Sequence, residues 1–352
     1  MPYYSSSKLI QQIMNNFIRT FSALLCGIGF FLWSLGLLAS ETVAKQSAFF
    51  EYLLQAKPRP AMIAYNPSNL NPDDLRLPKN QLAERIQSDL MCLRQGFDGL
   101  VLYRYNPDFT PIVISQAVSL GFRGILLGIW DVKSNEELTG TVNLIKQYSH
   151  TLAFAVVVGN EGLNDNRYTL TDITVAQAKL ANTGLTEMKI PMATSEPMSR
   201  YGSVDLRLFG DFLAPNIHPA IDRRDLGPSD AAAWVHGRAR ALAQIAKKPV
   251  LVKETGLPNG GESGNTPERQ YEFWHVWYDK GAVLQSPDRP NAWISLAAVF
   301  EAFDSPWKAT KSGNPVEGHW GILTEQLQPY PAFGVFAANQ SHCGPVLPKA
   351  SK

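Results

Sequence analysis

From Ala61 onward the chain repeats one pattern: a short apolar run, then a longer stretch with apolar residues at helical spacing. This alternation constrains the fold more than any other feature. Short buried runs separated by amphipathic helices pack as a parallel sheet covered by those helices. The strand-like runs are 61–65, 99–103, 124–129, 152–158, 189–194, 212–216, 250–254 and 294–300. Helical patterns fill 81–95, 111–119, 135–149, 176–183, 231–246 and 267–280, and the pattern is weakest around 199–208. Eight such runs within roughly 280 residues have the size of a closed (β/α)8 TIM barrel in a single α/β domain. The rival, an open doubly wound sheet, calls for a glycine-rich phosphate turn after its first strand. The chain reads Ala64-Tyr-Asn-Pro-Ser68 there instead. The expected barrel is 61–340, with 45–60 as a linker or connecting helix and 341–352 as a tail.

The N-terminus differs in kind. No acidic side chain precedes Glu41, Lys8 and Arg19 precede an apolar run at 21–39, and Thr42-Val-Ala44 offers the small residues a signal peptidase reads. Residues 1–44 are therefore expected to be a signal peptide or a membrane anchor, since the run is long enough to span a bilayer. Either way the barrel is exported: periplasmic, extracellular, or anchored with its barrel outside the cytoplasm. Cys26 lacks the surroundings of a lipoprotein site. Beyond the leader only Cys92 and Cys343 remain. Their contexts favour a buried thiol in the amphipathic segment Asp89-Leu-Met-Cys-Leu-Arg and an unrelated tail cysteine, with one disulfide as the alternative.

The formal net charge is +1, from 32 basic and 31 acidic residues, which gives no reason to expect nucleic acid as a partner. The six histidines show no metal-ligand spacing, so no metal or cofactor is expected. Gly-x-Ser-x-Gly is missing, which leaves a serine hydrolase without its nucleophile.

Two carboxylates close strand-like runs: Glu161 in Phe154-Ala-Val-Val-Val-Gly-Asn-Glu161 and Glu254 in Pro249-Val-Leu-Val-Lys-Glu254. Ending a buried strand on a charge is costly unless the strand opens into a cleft. In a barrel the fourth and seventh strands would bring both to one face, where a pair of carboxyls can cleave a glycosidic bond. Capping or ion-pairing of a neighbouring loop is the structural alternative for each.

Four segments, in order, resemble glycoside hydrolase family 17, the β-1,3-glucanases and glucan transglycosylases. They are Val157-Val-Gly-Asn-Glu161, Asn216-Ile-His218-Pro219, Val252-Lys-Glu254-Thr-Gly-Leu-Pro258, and Phe300-Glu-Ala-Phe-Asp304-Ser-Pro-Trp307-Lys308 with Glu317-Gly-His-Trp320. The resemblance implies Glu161 as general acid/base and Glu254 as nucleophile, with retained configuration and carboxyls about 5–5.5 Å apart. It implies that Asn160 reaches the sugar 2-hydroxyl. The chain departs from many members after the sixth strand, with His218 and Ala220 in place of two aromatics, and has Ser305 where plant enzymes carry a carboxylate. Glu301 and Trp307-Lys308 make it look closer to bacterial and fungal members.

Sugars present apolar C–H faces, so aromatic residues near strand ends are candidate stacking platforms: Tyr65, Tyr103, Tyr105, Trp130, Phe303, Trp307 and Trp320. Trp130 and Trp307, each directly after a strand, stand out. Asp131, Glu196 and Asp304 are placed either to bind sugar hydroxyls or to brace loops; Lys308 and His218 complete the candidate binding set. The expected activity is retaining β-1,3-glucan hydrolysis, or glucanosyl transfer by the same pair. A catalytically silent, membrane-anchored glucan-binding barrel and a hydrolase of another β-glucan are the alternatives.

Overall fold

The computed structural model describes residues 47–54, 61–279, 297–337 and 343. The expected signal or anchor segment and residues 294–296 of the eighth expected strand lie outside them. The chain divides into two units, Met1–Val43 and Ala44–Lys352, and every described residue belongs to the second. No helix among the described residues is long and apolar enough to cross a membrane.

A short helix α1 (Ala48–Leu53) precedes five parallel strands paired in sequence order: β1 (Met62–Ala64), β2 (Gly99–Leu102), β3 (Gly124–Ile129), β4 (Ala153–Asn160) and β5 (Met192–Ser195). The crossovers are α2 (Lys79–Leu93), α3 (Thr110–Ser119), α4 (Asn135–Tyr148) and α5 (Leu170–Leu180). After β5 come two short helices, α6 (Val204–Leu208) and α7 (Pro219–Asp222), then α8 (Pro228–Ala246), α9 (Pro267–Asp279) and α10 (Pro306–Ser312). The weakly patterned stretch near 199–208 is a 3-10 turn, Met198–Gly202, running into α6.

Parallel pairing continues past β5 as isolated bridges: Pro197 with Asn216, Leu213 with Val250, Asn216 with Glu254, Thr255 with Val299, and Val299 with Ile63 of β1. The sixth to eighth expected strands are thus reduced to bridges rather than formed at full length. Pro215 explains part of this, since it offers no N–H and can only accept, as it does from Lys253 N at 3.0 Å. The pairing nevertheless runs from β5 back to β1.

Side-chain alternation along these segments divides the apolar residues between two clusters. Ile63, Leu100, Ile125, Val156 and Val252 face the helices in the larger one. Ala64, Val101, Leu126, Val157, Ala193, Ala214, Leu251 and Ala298 form the smaller one. Phe49, Phe50, Tyr52 and Leu53 of α1 pack into that smaller cluster, so the expected linker is a plug. Tyr52 needs room that only glycine leaves: a Cβ on Gly124 would lie 2.2 Å from its ring, and one on Gly99 2.4 Å from its hydroxyl. The hydroxyl donates to Asp98 at 2.9 Å, and Arg123 pairs with the same carboxylate at 2.8 Å.

Helix α5 begins at Leu170, six residues before the expected 176. Thr169 and Asp172 form a reciprocal capping box that hydrophobic periodicity does not reveal. The cysteine expectation is also corrected: Cys92 and Cys343 form a disulfide, with Cα atoms 4.7 Å apart. Cys92 lies in the last turn of α2, and the tail residue Cys343 comes back to it, where Gln95 also reaches the sulfur. Sequence separation carried no information about that return.

Candidate active site

β4 leaves the sheet through Gly159 at φ 84° and Glu161 at φ 55°, both left-handed. At Gly159 a side chain would meet the Tyr168 hydroxyl at 2.3 Å, so glycine is required there. Glu161 tolerates its conformation because its N–H is anchored to the Ser195 carbonyl at 2.7 Å. The turn brings the Glu161 carboxyl to the end of the sixth segment. Asn216 donates to Glu161 Oε1 at 2.7 Å, and its own amide oxygen accepts from the Ser195 hydroxyl at 2.9 Å.

Glu254 is buried. Lys253, itself buried, pairs through Nζ with Glu254 Oε1 and donates to Asn160 Oδ1 at 2.8 Å. His218, at the N-cap of α7, lies with Nε2 3.4 Å from Glu254 Oε2. Edge contacts from Phe300 and Trp320, each with its ring centre 5.2 Å from that of the imidazole, hold its ring.

The two carboxyls are shifted in opposite directions. Burial raises the pKa of Glu161, and the charge of Glu254 raises it further; the Asn216 hydrogen bond and the neighbouring His218 and Lys253 offset only part of this. Burial also acts to raise Glu254, but Lys253 and then His218 outweigh it and bring its pKa down to about 2. Near neutrality Glu254 is an anion, while Glu161 holds its proton to a higher pH than an ordinary glutamate.

Two more groups close the site. The buried Tyr103 oxygen has no hydrogen-bond partner among the described atoms. Burial, then the charges of Glu254, Glu301 and Glu161, keep its proton on. Buried Glu301 pairs with Lys308 at 2.5 Å, and the same ammonium lies 4.9 Å from the Phe300 ring centre.

The remaining expected contacts divide. Trp130 is 38% exposed beyond β3, with the Arg167 guanidinium 4.0 Å from its ring centre. Trp307 is half-buried in the first turn of α10, with Lys308 Nζ 5.7 Å from its ring. The Tyr65 expectation is corrected, and Glu196 and Asp304 take the loop-bracing one of their two expected roles. Tyr65 is wholly buried, stacks on Phe109 and donates to Asp89 at 2.9 Å, so it offers no face to a sugar. Glu196 is wholly buried and accepts from the backbone N–H groups of Leu163 and Asn164 at 2.9 and 3.1 Å. Asp304 accepts from Tyr330, Asn259 and the Gly321 N–H at 2.7, 2.9 and 3.1 Å. Both carboxylates brace loops, because loop N–H groups reach them first. Trp320 is likewise buried, behind His218.

Sequence reasoning passed over Lys253, Asn216 and Ser195 as site residues. For Lys253 a signal existed, because a lysine inside the apolar run Pro249-Val-Leu-Val requires a buried partner. No group of side chains able to hold a metal occurs among the described residues.

Residues 62–321 match the BtgE/BtgC glycoside hydrolase domain. The chain belongs to that family. A glucan 1,3-beta-glucosidase of Arthroderma benhamiae is 26% identical over 237 residues, covering 62% of this chain and 73% of that protein. A putative glucan endo-1,3-beta-glucosidase, btgC of Aspergillus niger, is 23% identical over 71% of this chain but only 39% of its own length. The cell surface mannoprotein MP65 of Candida albicans is 26% identical over 68% of this chain and 62% of its own length. The chain therefore spans less than two thirds of the latter two. These relatives are fungal, and the bacterial-type likeness of the Glu301–Lys308 segment rests on the sequence alone.

Among solved structures, a glycoside hydrolase family 17 β-1,3-glucanosyltransferase from Rhizomucor miehei superposes with TM-score 0.60 at 19% identity, over 80% of this chain and 98% of that one. CJP38, a β-1,3-glucanase from Cryptomeria japonica pollen, gives 0.59 at 17% identity, over 80% of this chain and all of its own. At these identities the likeness establishes a shared fold.

Proposed function

We propose that this member of the glycoside hydrolase family is an exported, retaining enzyme of β-1,3-glucan. Glu161 serves as general acid/base and Glu254 as nucleophile, at the open end of a (β/α)8 barrel. One observation carries the reading. Two carboxyls joined through Asn216, Asn160 and Lys253 have their pKa values pushed in opposite directions, Glu161 up and Glu254 down, the direction a double displacement calls for. A silent binding barrel has no use for that difference.

In the first step a Glu254 oxygen attacks the anomeric carbon, while Glu161 gives its proton to the departing glycosidic oxygen. An ester to Glu254 forms as the glycosidic bond breaks. Burial still acts on Glu161, but ester formation removes the Glu254 charge that added to it, so the Glu161 pKa falls and Glu161 serves as base in the second step. It then takes a proton from water or a sugar hydroxyl, whose oxygen displaces Glu254. Asn160 and His218 lie beside the reacting sugar, with Trp130 and Trp307 as platforms for flanking units.

The β-1,3 linkage is supported by the names of the A. benhamiae relative and the R. miehei structure, a mutant of which holds laminaritriose. Export is supported by the disulfide, by the leader pattern and by the likeness to a cell surface mannoprotein. Hydrolysis and transfer share every step but the last acceptor. Incubation with laminari-oligosaccharides distinguishes them: shorter reducing sugars mark hydrolysis, longer chains mark transfer. Turnover of cellulose or mixed-linkage glucan with none of β-1,3-glucan would overturn the substrate assignment. In E254A, azide is expected to restore turnover of an activated aryl glycoside as the inverted glycosyl azide; in E161A, the retained azide is expected.

A further inference from the structure

Consecutive side chains on a strand point to opposite faces, so Lys253 and Glu254 should not meet. They do meet. Lys253 shares its face with Leu251 of the inner apolar cluster, and from there its ammonium rises under the nucleophile. Its side chain is 1% exposed. An ammonium has three N–H groups to satisfy, and three neighbours receive this one. They are Glu254 Oε1, Asn160 Oδ1 at 2.8 Å and the Tyr103 ring, whose centre is 4.5 Å away. Ion pairing through one oxygen of a buried carboxylate is a specific arrangement: the ammonium holds Oε1, while Oε2 is the oxygen 3.4 Å from His218 Nε2.

We propose that Lys253 is a positioning residue of the reaction, which clamps Glu254 by Oε1, presents Oε2 to the anomeric carbon and shortens the life of the glycosyl ester. The last effect follows from charge. When Oε2 bonds to the anomeric carbon, Oε1 becomes the ester carbonyl and the pair loses its anion. The ammonium is left buried with neutral partners, a costly state. Breaking the ester returns the electron pair to Glu254 and restores the ion pair, so the carboxylate is a better leaving group with Lys253 than without it. The other titratable groups facing Glu254 do not duplicate this role. His218 contacts the opposite oxygen, Glu161 and Glu301 are acids, Tyr103 holds its proton, and Lys308 is engaged by Glu301.

The inference rests on Glu254 as nucleophile, and the test separates the two. In K253M the Glu254 carboxyl, followed by carbon-13 NMR and assigned with E254Q, is expected to titrate about one pH unit or more higher than in the wild type. The acid limb of kcat/KM should move up with it. An activated aryl β-1,3-glucoside should show a burst that the wild type lacks, with the ester decaying at least about tenfold more slowly. An unmoved carboxyl titration and an unchanged acid limb would overturn the lysine's role. Should K253M not fold, wild-type protein labelled at lysine Nζ carries the test. One protected ammonium signal that shifts as Glu254 titrates supports the role, and its lack overturns it. Inactivity of the wild type on every β-1,3-glucan would overturn the functional reading instead, with the titration still deciding for or against Lys253.

Discussion

Asn216 joins the two halves of the chemistry through one amide group. Its Nδ2 donates to Glu161 at 2.7 Å and lies 3.3 Å from Asn160 Oδ1, while the Ser195 hydroxyl fixes the amide from behind. That hydrogen bond is among the few contacts pulling the Glu161 pKa down. Activity requires Glu161 protonated, so it is lost as pH rises through the Glu161 pKa; it requires Glu254 ionised, so it is lost as pH falls through a pKa near 2. Asn216→Ala removes a lowering influence, and the alkaline limb of kcat/KM should move to higher pH while kcat drops about 10- to 100-fold. A pH profile of laminarin hydrolysis checks the direction; a downward move of that limb would contradict it. Glu161 and Glu254 stood out in the sequence as candidates because each ends an apolar run on a charge. Asn216 stood within a recognisable motif but without a role, because an amide after a proline gives no sign of what it will face.

At the scale of elements, the loop leaving β4 depends on a carboxylate from the end of β5. Glu196 accepts from the N–H groups of Leu163 and Asn164, and burial raises its pKa despite those bonds. Removing it in Glu196→Ala orphans two loop donors and should cost about 1–3 kcal/mol in urea unfolding. KM should rise as well, because the same loop orients Glu161. Gly124→Ala at the start of β3 drives a methyl into the Tyr52 ring and should destabilise by about 1–3 kcal/mol with kcat unchanged. The positions of β1 to β5 and most helices followed from hydrophobic period. What period could not show was the extent of the last strands, where Pro215 removes a donor, and the start of α5, which a capping box sets. Nor could it separate Glu196 and Asp304 as loop braces from sugar ligands, since that depends on which N–H groups the folded loops bring near.

Across the whole molecule, α1 plugs the inner apolar cluster and the Cys92–Cys343 bridge ties the tail to α2, closing a sequence separation of 251 residues. In the chain-entropy view a loop of that size is worth about 5–6 kcal/mol, so Cys343→Ser or reduction should lower the Tm by several degrees without changing the pH profile. A thermal melt with and without reductant measures it; equal melting temperatures would mean that the bridge adds nothing. The α/β class with its parallel sheet was legible because apolar runs alternating with amphipathic helices leave few packings. The bridge was not, because its two cysteines are brought together only by the completed fold. The proposed chemistry is double displacement through Glu161 and Glu254, with the fold, loop braces and buried charges positioned around that pair. Proton NMR of the first sugar released from a β-1,3-linked oligosaccharide, recorded before mutarotation, tests that chemistry most directly. The β-anomer is predicted, and initial release of the α-anomer would contradict it.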